Sequence, residues 1–249
     1  MSNINTINEV IAALDNIITD VQKNNDTSGY FAALYRKVTI KVKEGIANNE
    51  FEDGPRMEKL DVIFASRYID AYHAWKNNET VTESWKKAFT ISSNYWPIVL
   101  QHLLIGMNAH INLDLGIAAA AVSKDKNINT LQNDFNKINQ ILASLVNEVQ
   151  DNLAKIWPTL KWILQKTKKV DDFLVDFSMQ LSREGAWKFA TGIAGKNDSE
   201  LNILIEARDN KVAEKSKIVT GPGFIAGIIL GIVRIGEQGP VKQKIENLK

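Results

Sequence analysis

YWPIVLQHLLIGMNAHINLDLGIAAAAVS, residues 95–123, decides the fold. From Ile98 through Ala121 it is apolar on nearly every side, which predicts a central buried helix rather than a surface helix with one wet face. Pro97 fits its first turn, where the missing N–H costs nothing. A helix buried all round needs other helices to enclose it, and the flanking sequence reads as helix almost throughout. Upstream, Ile7, Val10, Ile11, Leu14, Ile17 and Ile18 recur at steps of three and four. A second helix is expected from near Ser28 to about Asn48, carrying Phe31, Leu34, Tyr35 and Val38 and stopping before Glu52-Asp53-Gly54-Pro55. A third, from Arg56 to about Trp75, sets Met57, Leu60, Phe64, Tyr68, Ala71 and Trp75 on one face. Thr80-x-x-Glu83 has the form of a capping box, opening a short helix through Trp85 and Phe89.

Downstream, a helix from about Asn129 carries Leu131, Phe135, Ile138, Ile141, Leu142, Leu145 and Val149, and Pro158 separates it from residues 160–164. Asp171 and Asn197 open two more, with Gly195 closing the first. The apolar run after Gly223 meets Arg234 well short of the roughly 20 residues a membrane span needs, so it is expected as a buried helix. No alternating strand and no internal repeat is present. The expected fold is all-α: one domain over residues 1–249, a bundle of roughly eight to nine helices around the central one.

Composition narrows the function classes. The chain has 249 residues, 45% hydrophobic, enough for a sizeable core and too apolar for disorder. Lys+Arg 30 against Asp+Glu 29 leaves +1, which excludes a charge footprint for nucleic acid. With no cysteine there is no disulfide, thiolate metal site or cysteine nucleophile. MSNINTINEV has neither the basic nor the apolar part of a secretory signal, so a cytoplasmic protein without a transmembrane segment is expected. Lys166-Thr-Lys168-Lys169 reads as solvated surface at a helix C-terminus.

Polar residues at apolar positions mark the candidate site. Asp61 falls near the centre of the Met57–Leu60–Phe64–Tyr68–Ala71 stripe, where a carboxylate must be paired, hydrogen-bonded, metal-bound or neutral. In the central helix His102, Asn108, His110, Asn112 and Asp114 interrupt the apolar pattern. His110 and Asp114, four apart, share a face. His102 lies on the edge of the same surface, and Gly106 admits a close neighbour. Facing helices that turn histidines and carboxylates inward build metal sites, and an all-N/O set suits Zn, Fe or Mn. A satisfied buried hydrogen-bond network explains the same residues, and both readings stand. His73, on the less apolar side of its helix, reads as a surface histidine.

Several segments carry a family resemblance. They are Gly29-Tyr-Phe-Ala-Ala-Leu-Tyr35-Arg36-Lys-Val-Thr39, Phe51-Glu-Asp53-Gly54-Pro-Arg56-Met57-Glu58, and Leu60-Asp61-Val-Ile-Phe64-Ala-Ser-Arg67-Tyr68-Ile-Asp70-Ala71. With Gln101-His102 through Asn108-Ala-His110-Ile-Asn112-Leu-Asp114 and Arg183-Glu-Gly-Ala186-Trp187, they resemble the bacterial family filed as domain of unknown function 5995. The resemblance spans about residues 28–190 and implies an all-helical protein but no activity. It implies that Asp53, Arg56, Glu58, Asp61, Arg67, Tyr68, Asp70, His102, Asn108, His110, Asn112, Asp114 and Arg183 belong to the family pattern.

Weaker signals fall away. Asp171-Asp172-Phe-Leu-Val-Asp176 resembles the aspartate-rich motif of class I terpene synthases, but its third aspartate is one residue late and helix-capping explains the acids. Gly221-Pro222-Gly223 has no preceding strand to make a dinucleotide loop. The expected function is an enzyme with an interior carboxylate–histidine site, acting on a small or lipid-like molecule by hydrolysis or proton transfer with metal assistance. Asp61, His102, His110 and Asp114 are its expected acid–base groups or ligands. Arg56, Arg67 or Arg183 would orient an anionic part of the substrate, with Glu58, Tyr68, Asn108, Asn112 and Trp187 as further contacts. The alternatives are a noncatalytic binder of a small apolar ligand and an interaction protein with a buried polar network.

Overall fold

Residues 99–122 form one continuous rod through the middle of the computed structural model, which describes residues 3–158, 179–221 and 223–249. Residues 160–164, the Lys166–Lys169 cluster and the Asp171, Asp172 and Asp176 motif lie outside the described residues. The described part is all-α. It holds eleven α-helices and no strand, rather than the eight to nine helices expected. The excess comes from a short terminal helix and from a π turn that divides the central rod.

In chain order the helices are α1 (Ile7–Asn24), α2 (Gly29–Ala47), α3 (Gly54–Lys76), α4 (Glu83–Thr90), α5 (Val99–Ala109), α6 (Leu115–Val122) and α7 (Gln132–Ile156). After the undescribed stretch come α8 (Met179–Ile193), α9 (Asp198–Thr220), α10 (Phe224–Gly236) and α11 (Val241–Leu248). The π turn, His110–Asp114, joins α5 to α6.

Local chemistry sets the ends. Thr6 and Glu9 form a capping box at α1: the Glu9 N–H donates to the Thr6 hydroxyl, and the Thr6 N–H donates to the Glu9 carboxylate. The Asp53 carboxylate accepts from the Arg56 N–H at the start of α3, with Pro55 in its first turn. Asn197 accepts from the Glu200 N–H at α9. Gly195, at φ +75°, turns the chain after α8.

Two expectations about ends change. Pro97 precedes the N-cap Ile98 and so lies outside the helix. Thr80 does not cap α4, whose N-cap is Thr82. The Asp209 carboxylate of α9 does that work across the molecule, accepting from the Glu83 and Ser84 N–H groups at 2.7 and 2.9 Å.

The rod is enclosed by α2, α3, α4, α8 and α9. Of the rod's apolar side chains Leu104 and Ile105 join Ile91 and Val219 in a small cluster, and others divide between two larger cores. One gathers α1, α2, the outer half of α3, α4 and the start of α5 around Leu14, Phe31, Tyr68 and Trp85. The other gathers the first turns of α3 with α6, α7 and α8 around Met57, Leu115, Phe135 and Ala190. Phe64 and Met107 pack against both and so mark the seam. Val99–Val122 is long and apolar enough to cross a membrane by length and composition, and most of it is buried inside the fold. The expectation that the last apolar helix is buried is corrected: α10 buries Val233 but exposes Ile228, Ile232 and Ile235.

Candidate active site

At the seam of the two cores lies a cavity of about 230 Å³. Phe31, Leu34, Tyr35, Val38 and Val42 of α2 form one wall, and Ile138, Leu142, Leu145 and Val149 of α7 face it. Met57, Leu60, Asp61 and Phe64 come from α3, Met107, His110, Ile111 and Leu115 from the central rod, and Arg183 from α8. Nearly all of this lining is hydrocarbon, so each polar group in it stands out.

Asp61 and His110 both line it. Asp61 is 5% exposed, and its Oδ2 has no hydrogen-bond partner among the described residues. Burial, with the Glu58 charge adding to it, raises its carboxyl to about 7. At neutral pH a large share of the molecules therefore carries a carboxylic acid at this point. His110 is 2% exposed and stacks on the Phe64 ring at 3.5 Å between centroids. Burial lowers its pKa despite the pull of Asp114, so the imidazole is neutral.

Asp114 fixes which nitrogen of that imidazole is free. Its carboxylate is fully buried and takes three donors: Arg67 Nε at 2.6 Å, Trp85 Nε1 at 2.8 Å and His110 Nδ1 at 3.3 Å. Burial alone would raise the Asp114 pKa, but the Arg67 charge and the imidazole outweigh it and hold the carboxyl below its usual range. An ionised carboxylate only accepts, so the proton of neutral His110 sits on Nδ1 and the lone pair on Nε2. His110 Nε2 is buried and has no partner among the described residues. Asp114 thus orients the base while remaining off the cavity itself.

The π turn makes this geometry possible. Its wider loop frees backbone carbonyls from the ordinary ladder, and the Asn112 carbonyl accepts from Arg208 Nε at 2.8 Å. Asn108 Nδ2 donates to the Val212 carbonyl of α9 at 2.8 Å, and Asn112 Nδ2 donates to Asn108 Oδ1 at 3.1 Å. These two asparagines therefore clamp α9 to the turn rather than touching the cavity.

The other expected site residues separate. His102 lies outside this cavity, beside Tyr68 and Ser28 in a pocket of about 10 Å³, edge-on to Tyr30. Burial takes its pKa down to about 3. The expected Zn, Fe or Mn ligand set of Asp61, His102, His110 and Asp114 is thus divided. Among the described residues no group of three His, Asp or Glu comes together to hold a metal. Arg56 donates to the hydroxyls of Thr130 and Ser123, tying α3 to the end of α6. Glu58 accepts from the Ile7 N–H at the start of α1. Arg67 is spent on Asp114, Tyr68 is packed among Phe31 and Trp85, and Trp187 lies against Phe135. Of the expected substrate contacts only Arg183 lines the cavity.

Tyr35 is the residue that sequence reasoning passes over. It lines the cavity, its ring centroid lies 4.4 Å from that of His110, and its buried hydroxyl has no partner among the described residues. The nearby Thr39 hydroxyl donates instead to the Tyr35 carbonyl. Burial, with the charges of Asp61 and Asp114, raises the phenol far above its ordinary range, so it remains a donor. Its position on the apolar stripe of α2 gives no signal that separates it from an ordinary core aromatic.

No curated protein and no solved structure matches the chain. A family model does match, over residues 7–222, and so covers every helix that lines the cavity. The chain belongs to the family of unknown function DUF5995.

Proposed function

We propose that the cavity is the active site of an acid–base enzyme acting on a small, mainly apolar molecule. His110 Nε2 is the base, Asp61 the acid, and the Tyr35 hydroxyl a donor to oxygen on the substrate. The observation that carries this is the pairing of two buried, unpartnered groups of opposite proton capacity on one cavity. Native proteins leave few buried polar atoms unsatisfied, and of the six such atoms among the described residues three, on Tyr35, Asp61 and His110, belong to residues that line this cavity. Environments that push one group up and its neighbour down are how acid and base roles are assigned at neutral pH.

Proton transfer fits better than hydrolysis. Among the described residues the lining carries no serine, cysteine, threonine or lysine to serve as nucleophile, and hydrocarbon walls disfavour a stored water. The step is a shift of a proton within the substrate. His110 Nε2 removes a proton from one atom, Asp61 delivers its own to another, and exchange with solvent restores the starting pair.

The same hydrocarbon walls favour a second reading, a noncatalytic binder of an apolar ligand. One experiment separates the two. The purified protein is incubated in D2O with a small-molecule extract, and the extract is analysed by mass spectrometry. Acid–base catalysis predicts a deuterated or isomerised apolar component with the wild type, and none with Asp61→Asn or His110→Gln, while native mass spectrometry still finds it bound to Asp61→Asn. Components that bind stoichiometrically yet return unlabelled and unchanged would establish the binder instead.

A further inference from the structure

Arg183 is the one arginine among the described residues of a mostly hydrocarbon lining whose other polar side chains are Tyr35, Asp61, His110 and Gln150. It projects from α8 and is 4% exposed. Among the described residues its guanidinium donates only to neutral oxygens, Asn139 Oδ1 and the Phe135 carbonyl, and it lies over the Phe135 ring at 4.5 Å. No described carboxylate lies within ion-pair distance of it, whereas Arg36 and Arg67 each have an aspartate at 2.6 Å. Desolvation brings its pKa down to about 9, and no described group supplies the opposite charge that would offset that cost.

We infer that the molecule occupying the cavity is a monocarboxylate with a hydrocarbon body, its carboxylate seated on Arg183 and its chain lying between α2 and α7. This rests on the reading of the cavity as a ligand site and not on its catalysis. A guanidinium has five N–H donors in a planar fork, and the described bonds use two. A carboxylate is the flat, singly charged acceptor that fits such a fork. A phosphate ester would bring a second charge, and among the described residues no lysine or second arginine lines the cavity to meet it. Size follows from volume. An apolar cavity of about 150 Å³ holds benzene, so by proportion 230 Å³ holds roughly nine heavy atoms. That is a medium-length chain or a single-ring acid rather than a membrane phospholipid.

The test is titration of the full chain with sodium hexanoate, octanoate, decanoate and hexadecanoate, beside octan-1-ol and methyl octanoate, read by calorimetry. Hexanoate or octanoate should bind most tightly, with the neutral analogues weaker by roughly tenfold or more. Arg183→Gln should erase that preference while leaving octanol binding in place. Equal affinity for octanoate and octanol in the wild type would overturn the inference with no variant needed, as would the absence of carboxylate binding at any length. Asp61→Asn should keep the preference for the acid. A charge preference with no proton transfer therefore sinks only the catalytic reading, and proton transfer on a neutral molecule with no charge preference sinks only this one.

Discussion

Asp61 carries its consequence for stability in one bound proton. In the fold its carboxyl titrates near 7, against an ordinary 3.8. The folded protein thus holds a proton that the unfolded chain releases. The contribution is complete below about pH 4, shrinks by roughly 1.4 kcal/mol per pH unit, and is gone once pH has risen through about 7. Asparagine keeps the shape and cannot ionise. Asp61→Asn should match the wild type near pH 4 and exceed it by roughly 4 kcal/mol at pH 8, measured as urea midpoints at a series of pH values. The buried imidazoles act in the opposite sense, since His102 and His110 are held neutral and disfavour folding as pH falls below about 6.5. They are common to both proteins and cancel in the difference. A gap independent of pH would mean that Asp61 is hydrated and ionised like a surface acid.

Among the elements, α2 and the central rod approach so closely that Gly106 has no room for a methyl group. A Cβ there would lie 2.5 Å from the Phe31 ring, and that ring is held by Tyr68, Trp85 and His110. Gly106→Ala should therefore destabilise by roughly 1–3 kcal/mol, because overpacking exceeds the helix propensity gained. Gly192, in α8, meets nothing within 4 Å, so Gly192→Ala should gain up to about 1 kcal/mol. Equal effects in urea denaturation would show that the contact at Phe31 yields freely. The course of α2 and α3 is legible in the sequence because caps and stripes are local, and Asp61 is legible because a charge on an apolar stripe is conspicuous. Asp209 capping α4 is not, since the partners are 125 residues apart in sequence. Nor is the parting of His102 from His110. Two residues on neighbouring edges of one buried rod fall to different sides according to which helices pack there, and a single helix's periodicity does not say which.

Across the whole molecule the C-terminal helices are fastened to the start of the central rod, although the family match stops at residue 222. Glu237 is the fastening. Its Oε1 accepts from the Val99 N–H at 2.7 Å, and its Oε2 accepts from Arg234 Nη1 and Lys244 Nζ, both at 2.9 Å. Next to it the Gln238 N–H donates to the Ile156 carbonyl at 2.7 Å, so α7 is bound to the same corner. The side chains of Glu237 and Lys244 are 3% and 4% exposed, which places this pair in the class where removing one partner strands a charge. Glu237→Ala should cost roughly 3–5 kcal/mol, because Lys244 is left buried without a counter-charge while Arg234 keeps the Tyr95 carbonyl. Replacing Glu237 and Lys244 together by methionine should cost less than Glu237→Ala alone, because no charge is stranded and the volume is filled. The two urea midpoints, with amide exchange at Val99 as a local reporter, decide it. If the double replacement costs as much as Glu237→Ala or more, the single change strands no charge and the ion pair is not what joins α10 and α11 to the rod.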